Sequence, residues 1–205
     1  MRIKDIPDNI RKLEDIPEGE LRIYPKDKCV GFNSGYEIIN GKVKWFNFDN
    51  NECSILSNMY PCKITYQGMN FNSLEQMYQY YVNSNNSEAQ NLILKCKNGK
   101  EAKKISKRYY KDRNLSFYDK YRLMFTCMEQ KYLCCIDFRI KLMGTDDLPL
   151  VEVTSWFDVK NGTIDGSKLK NYIINGFYVR NSFIGMNLTG RCMMKIRETI
   201  RNKFG

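Results

Sequence analysis

Glu75, Gln79, Lys131 and Glu152 are the side chains of this sequence best placed to do chemistry, and there is no histidine to assist them. Without His there is no Ser-His-Asp triad, no H-E-x-x-H zinc site and no imidazole acid or base. Any reaction therefore runs on carboxylates, lysines, tyrosines or bound water. Glu75 falls in the first turn of a predicted helix, where the dipole stabilises negative charge; the competing role is a helix cap. Gln79 lies one turn further along the same face. Glu152 follows the apolar run Leu148-Pro149-Leu150-Val151, so it projects from the end of a buried strand. Carboxylates are rare there unless functional or ion-paired, and both readings stand. Lys131 ends a long helix beside Met128 and Tyr132, as a phosphate anchor, an amine nucleophile or an ordinary C-terminal helix charge. Asn58, Asn187 and Arg197 read as binding groups. Asn187 precedes a helix, so it is either a ligand contact or an N-cap, and amides at that helix start could meet a diphosphate.

The elements that must hold these residues can be read from pattern. At 205 residues, with 42% hydrophobic and 13% aromatic residues, one packed domain is expected. The N-terminus carries charge where a leader would be apolar, and no run of about 18 apolar residues spans a bilayer, so a cytoplasmic protein is expected. The eight cysteines lack C-x-x-C spacing and are read as free thiols, with no metal site and no cofactor expected. Tyr36 to Phe48 reads as a hairpin through Asn40-Gly41, and Cys62 to Phe71 as a second through Gln67-Gly68. Asn72 and Ser73 offer caps, with Glu75 and Gln76 placed for a capping box, before a helix carrying Leu74, Met77, Tyr78 and Tyr81. A helix from near Ser87 is expected to end at Asn98-Gly99, a longer one starts near Phe117, and the last covers Leu188 to Phe204. The pattern is α+β: a mainly helical single domain with a small antiparallel β-sheet. Residues 1–44 are read as an N-terminal extension and 45–205 as the catalytic domain.

The net charge is +10, and it is concentrated. Between Lys95 and Lys131 twelve basic residues face four acidic ones, a local excess of eight. Lys100, Lys103, Lys104, Lys107 and Lys111 recur as one helical stripe, with Ala102, Ile105 and Tyr109 opposite. The stripe is either a solvated face or a phosphate-facing patch for nucleic acid.

Five segments in order resemble the NADAR family, also called YbiA-like. They are Leu56-Ser57-Asn58-Met59-Tyr60-Pro61; Phe71 to Gln79 with an S-x-E-x-x-Y-Q helix start; Met124 with Lys131-Tyr132; Leu142-Met143-Gly144-Thr145 followed by Leu150-Val151-Glu152; and Gly185-Met186-Asn187 with Gly190, Met193, Met194 and Arg197. Together they span about residues 45 to 203. The sequence departs from the family in lacking a lysine in Tyr80-Tyr81-Val82-Asn83, and its D-x-x-W-G segment is reduced to Asp158-Val159-Lys160-Asn161-Gly162, with Trp156 nearby as a candidate substitute.

The resemblance implies hydrolysis of a ribose–nitrogen bond. Such cleavage builds positive charge on the sugar and negative charge on the departing base, so one carboxylate suits the sugar or a water and an acid suits the leaving group. Glu75, Glu152 and Lys131 are the catalytic candidates, Lys131 as a phosphate anchor or an imine partner for the opened ribose. Ser57, Asn58, Tyr60, Gln79, Asp158, Asn187 and Arg197 are the substrate-binding candidates. The leading expectation is removal of ADP-ribose from guanine bases in DNA, for which the basic stripe would be the partner surface. Alternatives are a glycosidase of an ADP-ribose-containing small molecule or of a riboflavin-pathway aminouracil ribotide, or a binding module without activity.

Overall fold

The computed structural model describes residues 16, 19–33, 35–39, 41–45, 54–112, 115–154, 158–169, 173–174 and 177–204. The end of the first expected hairpin at 46–48, Cys53 and Trp156 lie outside them, as does the side chain of Lys111. Among the described residues no helix is long and apolar enough to cross a membrane.

Two sheets and a helical layer make the fold, which is α+β as expected. The first sheet runs β4 (Lys42–Trp45), β3 (Tyr36–Ile39), β2 (Val30–Phe32), β7 (Leu150–Glu152). Its β2–β7 pair is parallel, with Gly31 opposite Val151 and Phe32 opposite Glu152, so this sheet is mixed rather than purely antiparallel. The second runs β1 (Arg22–Pro25), β11 (Ser182–Gly185), β8 (Ile164–Asp165), all antiparallel. Residues 22–45, read from sequence almost entirely as an extension, thus supply β1 to β4 and pair directly with strands 150–152 and 182–185. Two hairpins stand apart, β5 (Ile64–Tyr66) with β6 (Met69–Phe71) and β9 (Ile173–Ile174) with β10 (Phe177–Tyr178). The β5–β6 turn places Gln67 and Gly68 at φ 49° and 75°, the two consecutive positive values a type I′ turn requires.

The helices are α1 (Leu74–Val82), α2 (Ser87–Leu94), α3 (Gly99–Ser106), α4 (Phe117–Cys134), α5 (Ile136–Met143) and α6 (Leu188–Phe204). Asn98 does not close α2, as sequence suggested. It opens α3 instead, its side chain accepting the Glu101 N–H at 3.0 Å. The main core joins α1, α4 and α6 to the first sheet through Phe32, Phe71, Met77, Met128, Leu150 and Met193, all buried. From α4, Met124 and Met128 point inward, both buried. The described cysteines are all free thiols.

Candidate active site

Gln76 takes the capping role and leaves Glu75 without it. The Ser73 hydroxyl accepts the Gln76 N–H at 3.2 Å, while the Gln76 side chain accepts the Asn72 N–H at 2.6 Å. Gln76 also donates to the carbonyls of Ile93 and Cys96 at 2.9 and 3.0 Å, tying α1 to the end of α2. Glu75, next in the turn, is only 4% exposed, and its carboxylate faces a cleft. Gln79 donates to Glu75 Oε1 at 2.8 Å. In turn the Ser106 hydroxyl donates to Gln79 Oε1 at 2.6 Å, and Asn83 Nδ2 donates to Ser106 Oγ at 2.6 Å. This series of donors points at one carboxylate and fixes its orientation.

The opposite wall comes from β7. Asn187, at φ 54°, accepts the Glu152 N–H at 3.0 Å and donates to the Leu150 carbonyl at 2.8 Å. Asparagine tolerates this left-handed backbone, and both ends of its amide hold the strand that presents Glu152. The following loop closes over the same residue: Thr163 donates from its N–H and hydroxyl to the Glu152 carbonyl at 2.7 and 2.9 Å. Glu152 Oε2 is shut away from solvent with no hydrogen-bond partner. Burial, assisted by the charges of Asp158 and Glu75 and opposed by Thr189 and Lys103, pushes its carboxyl up to about 7. Asp158 accepts the Asn161 N–H at 3.1 Å, which shapes the loop, and both residues line the cleft.

These residues share one cavity of about 470 Å³ whose polar lining includes Asn58, Glu75, Gln79, Lys103, Glu152 and Asp158. Tyr78, Val82, Tyr121, Met124 and Leu188 make its apolar sides, and Lys120 and Lys160 stand in its lining. Asn58 is held through its carbonyl, which accepts the Glu75 N–H at 2.9 Å. Its Oδ1 is buried without a partner, an acceptor that a bound ligand would satisfy. Among the described residues no cluster of three or more His, Cys, Asp or Glu is arranged to hold a metal.

Several sequence candidates lie elsewhere, each for a physical reason. Lys131 is fully buried and outside the cleft; its ammonium donates to the carbonyls of Ile55 and Ser57 at 2.8 Å each and sits 4.3 Å from the Phe138 ring. Those bonds occupy it structurally, against both the phosphate and the imine roles. Ser57 and Tyr60 belong to the turn Lys131 clamps: the Ser57 hydroxyl accepts the Met59 N–H at 3.1 Å, and the Tyr60 ring lies 5.6 Å from the Lys131 ammonium. Neither lines the cleft. Arg197 is buried and donates to Thr145 Oγ1 and the Leu148 carbonyl at 2.7 and 3.0 Å, fixing the approach to β7. It borders a second, shallower cavity with Arg191. Asn187 holds β7 rather than a ligand. The first amides of α6 are not free for a diphosphate, since Leu188 and Thr189 donate to the carbonyls of Lys160 and Asn161 at 3.2 and 2.9 Å.

The basic stripe is also broken. The α-helix ends at Ser106, and a 3-10 segment, Lys107–Asp112, continues with a kink at Tyr109. Lys100, Lys104 and Lys107 are exposed. Lys103 instead turns into the cleft, 3.6 Å from Glu75 Oε1. Sequence reasoning placed Lys103 with the surface lysines. Lys103 lies four residues after Gly99 and three before Ser106, both buried on the inward side of α3, and that spacing was the available signal. Lys120, Tyr121, Met124 and Thr189 were missed as cleft residues because chain partners from distant segments make the cavity.

The comparisons with known proteins agree with this architecture. The NMR structure of the E. coli protein YbiA matches with a TM-score of 0.51 at 17% identity, covering 73% of this chain and 79% of that one, a likeness of fold. No curated protein matches the chain by sequence. A family model, the NADAR domain, matches residues 45–201, a span that holds every residue lining the cleft, and on that match the chain belongs to the NADAR domain family.

Proposed function

We propose that the protein is an N-glycosidase that hydrolyses a ribose–nitrogen bond in this cleft. NADAR membership supports that class of chemistry, and the carrying observation is the pair of unlike carboxyl groups facing one cavity. Glu75 is held by the Gln79 amide and faced by the Lys103 ammonium, suiting a carboxylate. Glu152 lacks a partner at Oε2 and titrates at about 7, suiting a proton donor at neutral pH. Environments that separate two carboxyl groups in this way divide acid from base.

In the reaction the bond between C1′ and the base nitrogen breaks, and its electron pair leaves with the nitrogen. Glu152 gives its proton to that nitrogen. Glu75 stabilises the positive charge spreading over C1′ and the ring oxygen, then accepts a proton from the water that adds to C1′. Products are the nitrogen-bearing group with its N–H restored, which for a DNA substrate is guanine still in the strand, and the ribose with a C1′ hydroxyl; exchange of one proton with solvent restores both groups. The Asn58 acceptor is placed for a donor on the substrate, and the cations of Lys120 and Lys160 suit phosphate.

The substrate we propose is guanine in DNA carrying ADP-ribose, with the exposed Lys100, Lys104 and Lys107 as the strand contact. One observation favours a small-molecule substrate, such as an aminouracil ribotide: the stripe is shorter than the sequence suggests once Lys103 turns inward. Incubation with ADP-ribosylated oligonucleotide, ADP-ribosyl-arginine peptide and the aminouracil ribotide side by side separates them. Neutralising Lys100, Lys104 and Lys107 to Gln is expected to reduce the salt slope of DNA binding by about two to three units. An unchanged slope, with turnover only of the ribotide, would reject the DNA substrate.

A further inference from the structure

Lys103 is unusual for a lysine in a basic surface run. It projects beside the buried Gly99, Ala102 and Ser106 of α3, and its side chain is 39% exposed, against 6% for the Glu75 it faces at 3.6 Å. Its approach depends on Gly99, where a Cβ would lie 2.8 Å from Glu75 Cβ and 2.8 Å from Ser73 Oγ; any larger residue would hold α3 away from α1. The polar and charged groups that share its cavity are Glu75 and Gln79 of α1, Glu152 of β7, Asp158 and Lys160 of the loop after it, and Lys120 of α4; of these Glu75, Glu152 and Asp158 act on the ammonium. Thr189 of α6 lines the same cavity and favours the ionised form of Glu152.

The negative charge of Glu75, then of Glu152 and Asp158, holds the Lys103 amine above the ordinary lysine range, against the opposing effect of burial. An amine so held keeps its proton at neutral pH and has no lone pair to act as nucleophile or base. Its charge is what it can contribute.

We infer that Lys103 is a positioning residue of the cleft, whose ammonium fixes the Glu75 carboxylate together with Gln79 and offsets the negative charge that Glu75 and Asp158 direct at Glu152. The kinetic consequence rests on the glycosidase reading; the electrostatic consequence holds in the ligand-free protein. Without the ammonium, three carboxyl groups share the cavity with less positive charge to offset them. Glu152 then keeps its proton to higher pH, because the nearby cation that favours its ionised form is gone.

Lys103→Met and Lys103→Arg test this by carbon-13 carboxyl NMR titration of Glu152 in the ligand-free protein, with the pH profile of kcat measured alongside. Lys103→Met is expected to raise the Glu152 midpoint by about one pH unit, the lower end of what an opposite charge within a few ångströms does. Lys103→Arg is expected to restore it. The high-pH limb of kcat should move with the midpoint in each variant. If Lys103→Met does not fold, Lys103→Gln carries the same expectation. An unmoved Glu152 midpoint overturns the inference, and an unmoved midpoint together with weakened DNA binding would return Lys103 to the basic face. A raised midpoint in a protein that hydrolyses no N-riboside would uphold the electrostatic role and end the glycosidase reading.

Discussion

Gln79 lies one helical turn from Glu75 and donates to its Oε1 at 2.8 Å, while its own Oε1 accepts the Ser106 hydroxyl at 2.6 Å. An amide held at both ends cannot rotate freely, so the carboxylate it contacts is fixed as well. Gln79→Leu keeps the volume and removes both bonds. It is expected to lower kcat about a hundredfold, the order of cost when a reacting group is misplaced by about an ångström, with the circular dichroism spectrum preserved. Parent-like kcat would mean that Glu75 needs no orientation from this amide.

Gly99→Ala should disturb the same site from the other helix. Its Cβ would meet Glu75 Cβ and Ser73 Oγ at 2.8 Å, closer than atoms pack without movement. A loss of about 1–3 kcal/mol is expected, the usual range for overpacking, with turnover reduced beyond the loss of folded protein. A thermal melt at the parent temperature would contradict the close α1–α3 contact.

Lys131→Met separates structure from chemistry. Removing the ammonium leaves the carbonyls of Ile55 and Ser57 without their donor in a buried setting, at a cost of about 1–3 kcal/mol for each group left unpaired. Turnover per folded molecule should remain close to the parent value. A stable variant without turnover would restore Lys131 to the chemistry.

Glu152 should make stability depend on pH. Its carboxyl titrates at about 7 in the folded protein and in the ordinary carboxylate range when unfolded. As pH rises between those values the unfolded chain releases its proton first, so stability is full at the acid end and is lost as pH approaches and passes about 7. Each pH unit separating the folded and unfolded midpoints corresponds to about 1.4 kcal/mol, so the whole effect is on the order of 3 kcal/mol. Glu152→Gln should remove this dependence and be the more stable protein at pH 8 by denaturant titration. Parallel stability curves for the two proteins would show that Glu152 ionises freely.

Local signals were legible in the sequence: the Gln67-Gly68 turn, the Ser73 cap and the spans of α1, α4 and α6 follow from residues near one another in the chain. The pairing of Glu75 with Glu152 was legible as two candidates, not as two walls of one cavity. Lys131 shows the limit most clearly. A lysine at a helix end reads as a charge or an anchor, and only the loop at 55–57, more than seventy residues away in sequence, shows that it is consumed by carbonyls. Lys103 misleads in the opposite direction: its neighbours Lys100 and Lys104 are exposed, and one position's rotation on a short helix sends it inward. The parallel pairing of β2 with β7 was likewise hidden, because it joins segments 120 residues apart at Gly31 and Val151 with no local turn to announce it.

Glu75 stands at the centre of the proposed chemistry. Gln76 carries the capping bonds of α1, so Glu75→Gln should leave the helix start intact and change little but the charge facing the cleft. The most direct measurement is single-turnover hydrolysis of the best of the three substrates by Glu75→Gln, with ligand binding and thermal stability measured on the same sample. Parent-like stability and binding, with the hydrolytic rate reduced about a hundredfold or more, is the expected result for loss of acid–base and charge stabilisation. Near-normal hydrolysis by a correctly folded Glu75→Gln protein would contradict it.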